Sequence, residues 1–355
     1  MRSAFMSISA AEGNLGDIAI RREVIDQMRQ IGLRPVIYSG SMGRDYVDAF
    51  DFLPGEIVTR SGPVFIRKLL TEIASVRRPV VVMAPGPVQV GVSLQSALKH
   101  MFLFVLLLLV RVTGGKVVIV GRSVDVKRSF ALPIERLLAA ASNLYVARDS
   151  RTRAILGART LVFPDYALRQ YSRFPDSVAT SFGQRSLMVV SLRHDRILDD
   201  DISVLTALKT RAAQCGYRIV FTAQVREDSA ANRRLAKSLS VDFVDWPERR
   251  PHSDQEAKVL ELYSEATVVV SDRLHALLFA VRAGAVPVIQ YRPGFTKLSD
   301  ALAHLFDVQH IQTPEDVSKL RIDATESMHV ATRATEASRQ HQLLDALLRE
   351  TIGAS

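Results

Sequence analysis

The sequence predicts an α/β protein with two Rossmann-like domains. Short runs rich in valine and isoleucine alternate along the chain with segments whose apolar residues have helical spacing. This alternation is typical of parallel sheets covered by helices. The 355 residues, 48% of them hydrophobic, also exceed what a single hydrophobic core usually holds. We therefore expect two sheets of about five strands each.

The predicted strands form two series separated by one polar stretch. They are residues 5–9, 35–38, 80–84, 117–121 and 144–147 in the first half, and 187–191, 218–222, 241–245, 267–270 and 286–290 in the second. The stretch between the series contains Pro, Ser and Gly, as linkers do. We predict an N-terminal domain over 1–172, a linker over 173–185, a C-terminal domain over 186–325 and a helical tail over 326–355.

The excess positive charge lies in the first half of the chain. Residues 1–180 contain 24 Lys and Arg against 14 Asp and Glu, a net charge of +10, whereas residues 181–355 contain 22 against 23. Clustered cations favour an anionic membrane surface or a phosphorylated substrate. Because the basic residues are scattered and only 7% of residues are aromatic, nucleic acid is not expected as a partner. A merely solvated basic surface is the alternative.

The number of cysteines and the length of the apolar runs indicate the cellular compartment in which we expect the protein. One cysteine, Cys215, excludes an intramolecular disulfide and a cysteine-built zinc site. Residues 1–11 lack the apolar region of a secretory signal, so we expect a cytoplasmic protein. Residues 101–110 are all apolar, but a membrane span needs about 20 such residues. This run predicts a buried crossover helix, with an apolar helix face resting on a lipid surface as the alternative.

A polar turn with two glycines follows the first predicted strand. In Gly13-Asn14-Leu15-Gly16-Asp17 the glycines permit a tight turn, and Asn14 and Asp17 can cap the next helix or hold a ligand hydroxyl. Ligands of open α/β sheets bind outside the carboxyl ends of the strands. A ligand site and a capped turn without a ligand both fit this segment.

A second polar cluster, Ser-Asp-Arg-Leu-His-Ala at 271–276, follows the predicted strand 267–270. We predict Ser271 as the helix N-cap. Helical spacing leaves Arg273 and His275 off the buried stripe of Leu274, Leu277, Leu278 and Val281. A first helical turn with an arginine favours a phosphate or carboxylate, and a histidine there can exchange protons near neutral pH. A structural arginine and a satisfied histidine are the alternative.

Two further cations, Arg193 and Lys297, also follow predicted strands of the second half. Two arginines, a lysine and a histidine at strand ends predict a site for a small dianion. Walker and Gly-x-Gly-x-x-Gly motifs are absent from the sequence. The acidic run at 199–201 is predicted to cap the following helix and not to hold a metal. No metal or cofactor is expected.

In this order and spacing the motifs resemble those of the polysaccharide pyruvyl transferase family, over most of the chain. The turn at 14–17 resembles the family's Asn-x-Gly-Asp turn, and Arg148-Asp149, followed by Asp165, is similar to its Arg-Asp element. Arg193 is similar to its strand-end arginine. The segment Arg-Leu-His-Ala at 273–276, with Gly-x-x-Pro-Val at 284–288 and Lys297, resembles its signature block.

The resemblance implies two domains arranged as in GT-B glycosyltransferases, with a cleft between them. It implies transfer of pyruvate from phosphoenolpyruvate, which serves as a donor substrate, to two hydroxyls of one sugar in a polysaccharide or lipid-linked precursor. The products are a cyclic ketal and phosphate. The residues implied are His275 and Asp17 as catalytic groups, Arg193, Arg273, Ser271 and Lys297 for the donor, and Asn14, Gly16, Arg148 and Asp149 on the acceptor side.

The resemblance also implies exopolysaccharide biosynthesis with a saccharide acceptor. A lipid-linked acceptor would bring the basic half to the anionic cytoplasmic face of the inner membrane as a peripheral contact. Ala-Pro-Gly-Pro at 84–87 and Gly-Arg-Ser-Val-Asp at 121–125 depart from the family's glycine-rich segments, which leaves the acceptor open. A GT-B glycosyltransferase using a nucleotide sugar and a non-catalytic protein that binds polysaccharide precursors are the alternatives.

Overall fold

The chain divides into two compact units, each built on its own sheet. The computed structural model describes residues 2–171, 175–198, 200–291, 297–303 and 307–353. Unit 1 consists of residues 1–12, 17–169 and 339–355, and unit 2 consists of residues 13–16 and 170–338.

The sheet of unit 1 has eight strands within the described residues, and all of its strand pairs are parallel. Its order is β3-β2-β1-β4-β6-β7-β8, with β5 paired to β6. The strands are β1 (Ser3–Ser7), β2 (Arg34–Tyr38), β3 (Ile57–Thr59), β4 (Val80–Met83), β5 (Gly86–Val90), β6 (Lys116–Val126), β7 (Leu144–Ala147) and β8 (Leu161–Val162). The order reverses between β1 and β4, which is where such sheets bind ligands.

The pair formed by β5 and β6 continues the central part of this sheet. β4 pairs with β6 from Val80 opposite Lys116 to Met83 opposite Ile119. β5 then pairs with the rest of β6, from Gly86 opposite Arg122 to Val90 opposite Val126. Of the two segments that depart from the family pattern, 121–125 lies wholly within β6, whereas 84–87 contributes only Gly86 and Pro87 to β5. The alternating valines of the two strands bury one face against a small satellite core that includes Ala97 and Ala131.

The helices of unit 1 cover the sheet and include one that differs from the prediction. They are α1 (Leu15–Gln30), α2 (Arg44–Asp48), α3 (Gly62–Ala74), α4 (Leu94–Val112), α5 (Leu132–Ala141) and α6 (Ser150–Leu156). The apolar run at 101–110 belongs to α4, which was predicted to be buried. Only one face of α4 is buried, through Ala97, Leu107 and Val110, and most of its other apolar residues are exposed.

The sheet of unit 2 has six strands within the described residues, again with parallel pairs only. Its order is β11-β10-β9-β12-β13-β14. The strands are β9 (Leu187–Ser191), β10 (Arg218–Thr222), β11 (Asp242–Val244), β12 (Ala266–Ser271), β13 (Val286–Gln290) and β14 (Gln309–Ile311). The order reverses between β9 and β12, so their carboxyl ends mark the expected ligand edge.

Helices on both faces complete unit 2. They are α7 (Pro175–Phe182), α8 (Asp201–Gln214), α9 (Ser229–Ser238), α10 (His252–Ser264), α11 (Leu274–Ala283), α12 (Lys297–Ala303) and α13 (Pro314–Ser318). A long last helix, α14 (Ala324–Ile352), contributes residues 324–338 to unit 2 and residues 339–352 to unit 1. The predicted tail is therefore helical, but it is divided between the units.

The segment predicted as a linker, 173–185, differs from the prediction where it is described. It contains α7, whose Phe182 is buried in the core of unit 2. The Arg185 guanidinium donates hydrogen bonds to the carbonyls of Ala266, Ala283 and Gly284. These carbonyls include the last turn of α11, where a cation is favourable. The boundary between the units therefore falls between residues 169 and 170.

Candidate functional site

The glycine-containing turn at 13–16 is held against the loop that follows β10. The amide of Leu15 donates to the carbonyl of Gln224 at 3.4 Å, and the amide of Arg226 donates to the carbonyl of Gly13 at 2.9 Å. Asn14 and Val225 form an isolated antiparallel bridge. The Asn14 side chain accepts from the Gly16 amide at 3.1 Å, closing a local turn.

Gly16 lies against the imidazole of His275. A Cβ atom at residue 16 would overlap the His275 ring, so this close approach requires glycine. The structure thus brings together two clusters that are about 260 residues apart in the sequence and that were predicted to lie in different domains. His275 is in the first turn of α11 and is buried, with 9% exposure, rather than off the buried face as predicted.

Asp228 is the centre of the charged network at this edge, and the sequence analysis missed it. Its carboxylate is completely buried. It accepts from the backbone amide of His194 at 3.0 Å and lies 2.9 Å from His194 Nδ1. It also forms a two-point ion pair with Arg273, through Nη2 at 2.8 Å and through Nε. Asp228 therefore joins the loops that follow β9, β10 and β12.

Arg193, in the loop after β9, has a different kind of acidic partner. Its Nε and Nη2 each lie 2.8 Å from an oxygen of Asp195, and its backbone amide donates to Asp272 at 2.9 Å. The hydrogen bond with Asp195 raises the pKa of Arg193 and lowers the pKa of Asp195 below its usual range. Asp195 is 45% exposed, unlike the buried Asp228, so a ligand can replace it at low cost.

Arg196 is a further cation that sequence reasoning missed. Burial, followed by the charge of Arg193, lowers the pKa of Arg196, and Arg273 contributes in the same direction. Three guanidinium groups therefore act on one another at this edge, where Asp195, Asp228 and Asp272 offset them. The signal was present in the sequence as a second arginine three residues after Arg193.

Ser271 and Lys297 complete the predicted donor set. The Ser271 hydroxyl is buried, donates to the carbonyl of Ser191 at 2.5 Å and accepts from the Arg273 amide at 3.0 Å. It links β9 to β12, and the N-cap of α11 is Arg273 instead. Lys297 is the first residue of α12, and its side chain lies outside the described residues.

In unit 1, Asp17 lies in the first turn of α1, at the carboxyl end of β1. Its carboxylate is 3.0 Å from Arg21 Nη1, and the same nitrogen donates to the Asp17 carbonyl at 2.9 Å. Both side chains are largely buried. This pair presents a carboxylate of fixed orientation at the point where the strand order of unit 1 reverses.

Arg148 and Asp149 have structural contacts within unit 1. Arg148 Nη1 lies 2.9 Å from a carboxylate oxygen of Asp165, so the two matched parts of the family's Arg-Asp element are in contact. Asp149 caps α6 by accepting from the Thr152 amide at 2.6 Å. Thr152 in turn accepts from the Val124 amide at 2.8 Å, which ties the cap to the extended part of β6.

Within the described part of the chain, no group of three or more His, Cys, Asp or Glu residues is placed to hold a metal ion. The charged edge of unit 2 instead combines anion-binding guanidinium groups with a histidine held at a glycine turn. Such an arrangement can bind a phosphate or carboxylate group and transfer a proton to or from its neighbour.

The fold is shared with GT-B-like proteins. MnaA of S. aureus, solved with UDP, superposes with a TM-score of 0.60 at 11% identity, covering 100% of this chain and 98% of that one. A putative UDP-N-acetylglucosamine 2-epimerase from Listeria monocytogenes gives 0.60 at 12% identity with the same coverage. A glycosyltransferase from Rickettsia africae gives 0.56 at 11% identity and covers both chains fully. These likenesses establish the α/β fold with parallel sheets.

The fold is the α/β architecture of GT-B-like proteins, and the family model that matches the chain is that of a transferase. Residues 14–289 match the family model of polysaccharide pyruvyl transferases, and the chain belongs to that family. The match begins at the turn that contacts His275 and ends within β13, so it includes both clusters of the site. No curated protein sequence matches the chain.

Proposed function

We propose that the protein transfers pyruvate from phosphoenolpyruvate to two hydroxyls of one sugar residue. In the balanced reaction, C3 of the enol gains a proton, one hydroxyl oxygen bonds to C2, and the bond from C2 to the phosphate oxygen breaks. The second hydroxyl then bonds to C2 and closes the ketal. The two hydroxyls lose two protons in all. One of these is matched by the proton that C3 gains in forming the methyl group, and the other leaves on the released phosphate.

The observation that supports this donor is the contrast between the two arginine pairs. Asp228 holds Arg273 in a buried pair that fixes its orientation, whereas the guanidinium group of Arg193 is hydrogen-bonded to the exposed Asp195. A dianion can therefore displace Asp195 from Arg193 and form the same two-point hydrogen bonds with it. Arg273, in its fixed position, and Lys297 complete the proposed binding of the phosphate and the carboxylate.

His275 is the proposed proton-transfer residue. Its ring lies at the switch point of the sheet, between the glycine turn and the cationic loops. General acid–base catalysis of this kind contributes typically about 10²–10⁴-fold to the rate. Asp17 is proposed to accept a hydrogen bond from an acceptor hydroxyl, since its carboxylate is oriented by Arg21. The scheme uses no cofactor.

The proposed acceptor is a saccharide of an exopolysaccharide or a lipid-linked precursor, made on the cytoplasmic side of the inner membrane. Asn14, Gly16, Arg148 and Asp149 are retained as acceptor-side candidates. Asn14 and Gly16 act through the turn that they shape. The buried contacts of Arg148 and Asp149 give them a supporting role, in which they hold the loop after β7.

The donor is tested by thermal stabilisation of the full chain with phosphoenolpyruvate, phosphate and a panel of nucleotide sugars. A ligand at 100 times its Kd adds about 2.7 kcal/mol of stability. We expect phosphoenolpyruvate to stabilise the wild type, the Arg193→Gln variant to lose this effect, and His275→Gln to keep it while losing turnover. Arg218→Gln is the matched control, because Arg218 also pairs with an exposed aspartate in unit 2.

The alternative function is the transfer of a sugar from a nucleotide sugar, or the epimerisation of a nucleotide sugar. The similar structures include one solved with UDP and a putative UDP-N-acetylglucosamine 2-epimerase. Stabilisation by a nucleotide sugar and not by phosphoenolpyruvate would establish that alternative. Stabilisation by phosphoenolpyruvate without phosphate release, for any saccharide acceptor supplied, would favour a non-catalytic binding protein.

A further inference from the structure

Helix α4 carries apolar residues on its exposed face as well as on its buried face. Six exposed residues recur at i, i+4, i+8, i+11, i+15 and i+18, and they form one stripe along the whole helix. We call this set the apolar stripe; it consists of Leu94, Leu98, Phe102, Val105, Leu109 and Val112. Exposure rises to 70% at Leu94 and 71% at Val112. A surface helix of a globular protein would normally place polar residues at these positions.

The opposite face of α4 is packed on the sheet of unit 1. Leu107 and Val110 are fully buried in a core cluster with Phe5, Val81 and Val117. By length and composition alone α4 could cross a membrane, but only 17% of its most apolar window is buried. While α4 remains packed on the sheet, it can contact an apolar environment only through the apolar stripe. This arrangement is typical of a helix that lies in the plane of a membrane interface.

The chain around α4 is strongly basic. Residues 57–160 contain 16 Lys and Arg against four Asp and Glu, a net charge of +12. All four acids are engaged: Glu72 and Glu135 are buried, Asp149 caps α6, and Asp125 pairs with Lys127 at 3.0 Å. The exposed cations of this segment therefore have little acidic compensation from within it.

Cations lie at both ends of α4. The backbone of the exposed Arg128 packs against Gly91, just before the helix begins, and the side chain of Arg78 packs against Gly114, just after it ends. The exposed Arg111 on α4 itself donates to the carbonyls of Ala140 and Ser142 at 2.7 and 3.0 Å. These carbonyls orient the guanidinium group without neutralising its charge.

Beside the last turn of α4 there is a cavity of about 410 Å³ that contains three arginines. They are Arg111, Arg136 and Arg159, and among the described residues that line the cavity there is no carboxylate. Arg136 also donates to a backbone carbonyl, that of Ile155, through Nε at 3.2 Å and Nη2 at 3.1 Å. The cavity therefore presents oriented cations that suit a phosphate group.

We propose that α4 docks unit 1 on an anionic lipid bilayer, with the apolar stripe among the acyl chains and a lipid phosphate in the arginine cavity. A second copy of the chain fits this face less well, because two surfaces with the same excess of positive charge repel each other. A bilayer with anionic lipids matches both the apolar stripe and the cations. The proposal stands independently of the pyruvyl transfer proposed above.

The test is flotation of the purified full chain with vesicles of phosphatidylcholine, with and without about 30% phosphatidylglycerol, at low and high salt. We expect binding to the anionic vesicles, weakened by salt. The Leu98→Glu/Val105→Glu variant should bind at least tenfold more weakly. The Arg136→Gln/Arg159→Gln variant should bind roughly 25-fold more weakly, at roughly fivefold for each arginine near the surface.

Leu198→Glu/Leu343→Glu is the matched control, since both leucines are exposed and lie outside α4. It should float as the wild type does. Equal flotation of the stripe variant and the control, or no flotation of the wild type at low salt, would overturn the proposal. If the wild type is a dimer that does not bind vesicles, and the Leu98→Glu/Val105→Glu variant is a monomer, the face belongs to a contact with a second copy instead. Thermal stabilisation by phosphoenolpyruvate is measured in a separate experiment. The proposed pyruvyl transfer and the proposed membrane docking can therefore be refuted independently of each other.

Discussion

Asp228 determines how charge is distributed at the ligand edge of unit 2. Its two oxygens hold Arg273 and the backbone and ring of His194, and the carboxylate has no exposure to solvent. The neighbouring Arg193 has its acidic partner in solvent. One arginine is thus fixed by the protein and the other can exchange its partner for a ligand, which is how a site can be preorganised and still open to a charged donor.

The buried and the exposed pair should respond differently to loss of the acid. Asp228→Asn leaves Arg273 largely buried without a counter-charge, at a cost of about 3 kcal/mol, or roughly 6–12 °C in Tm for a unit of this size. Asp195→Asn breaks an exposed pair and should cost less than about 1 kcal/mol. Thermal unfolding of both variants measures the difference. Equal shifts would contradict the asymmetry between the two pairs on which the proposed donor site depends.

The candidate site could be predicted only in part from single residues. Arg193, Arg273 and His275 follow strand ends, as predicted, but the contact of the glycine turn with His275 was not predicted, because the sequence analysis placed the two in different domains. Asp228 gave no comparable signal, because it lies six residues after the end of β10 among other charged residues. Its role depends on three loops meeting in space, which local spacing does not encode.

At the scale of elements, β5 and the extended part of β6 distinguish this chain from the pattern of its family. They place strand at residues 86–87 and 121–125, within the segments that depart from the family pattern, and the cap of α6 bonds to β6 through Thr152 and Val124. This part of unit 1 is therefore built on hydrogen-bonded strands, which are more rigid than glycine-rich turns.

The satellite core under these strands should contribute measurable stability. Val90 is fully buried there, so Val90→Ala removes two buried carbon atoms and should lower the free energy of unfolding by about 2 kcal/mol. Val92, two residues further along, is 50% exposed. Val92→Ala should therefore change stability by less than about 0.5 kcal/mol. Urea denaturation compares the two, and a Val90→Ala variant as stable as Val92→Ala would show that the extension is not packed.

Most central strands were predicted well, whereas three short edge strands, β5 and the exposed face of α4 were not. The strands β7, β9, β10 and β13 have the predicted bounds, because each is largely apolar and lies in a buried parallel sheet. The edge strands β3, β8 and β14 have only two or three residues and show no pattern. β5 was not predicted, since it begins with Gly-Pro, and α4 was predicted to be buried because its composition does not reveal that one face is exposed.

At the scale of the whole molecule, acid should unfold the protein partly through His341. Burial lowers the pKa of this histidine in unit 1 to about 4, and its Nε2 lies 3.2 Å from the carbonyl of Asp165. Below its ordinary pKa of about 6.5 the unfolded chain binds a proton that the folded chain does not. The free energy of unfolding should therefore fall between about pH 6.5 and 4, by at most about 1.4 kcal/mol per pH unit.

This acid sensitivity is measured by denaturant unfolding at a series of pH values. His341→Gln should flatten the dependence in that range, whereas His329→Gln, at an exposed position of the same helix, should leave it unchanged. Identical profiles for the wild type and His341→Gln would show that other groups govern the loss of stability in acid.

The division of α14 between the units has a consequence for how the protein is made. Unit 1 needs residues 339–355, where Asp345 pairs with Arg169 at 2.9 Å, yet the 169 residues of the 170–338 segment are synthesised first. At a ribosomal rate of about 5–20 residues per second, this interval is roughly 8–34 s. The first unit to emerge is thus the last to be completed. During translation it remains an unfinished nascent domain, and in this interval chaperones have the most to protect.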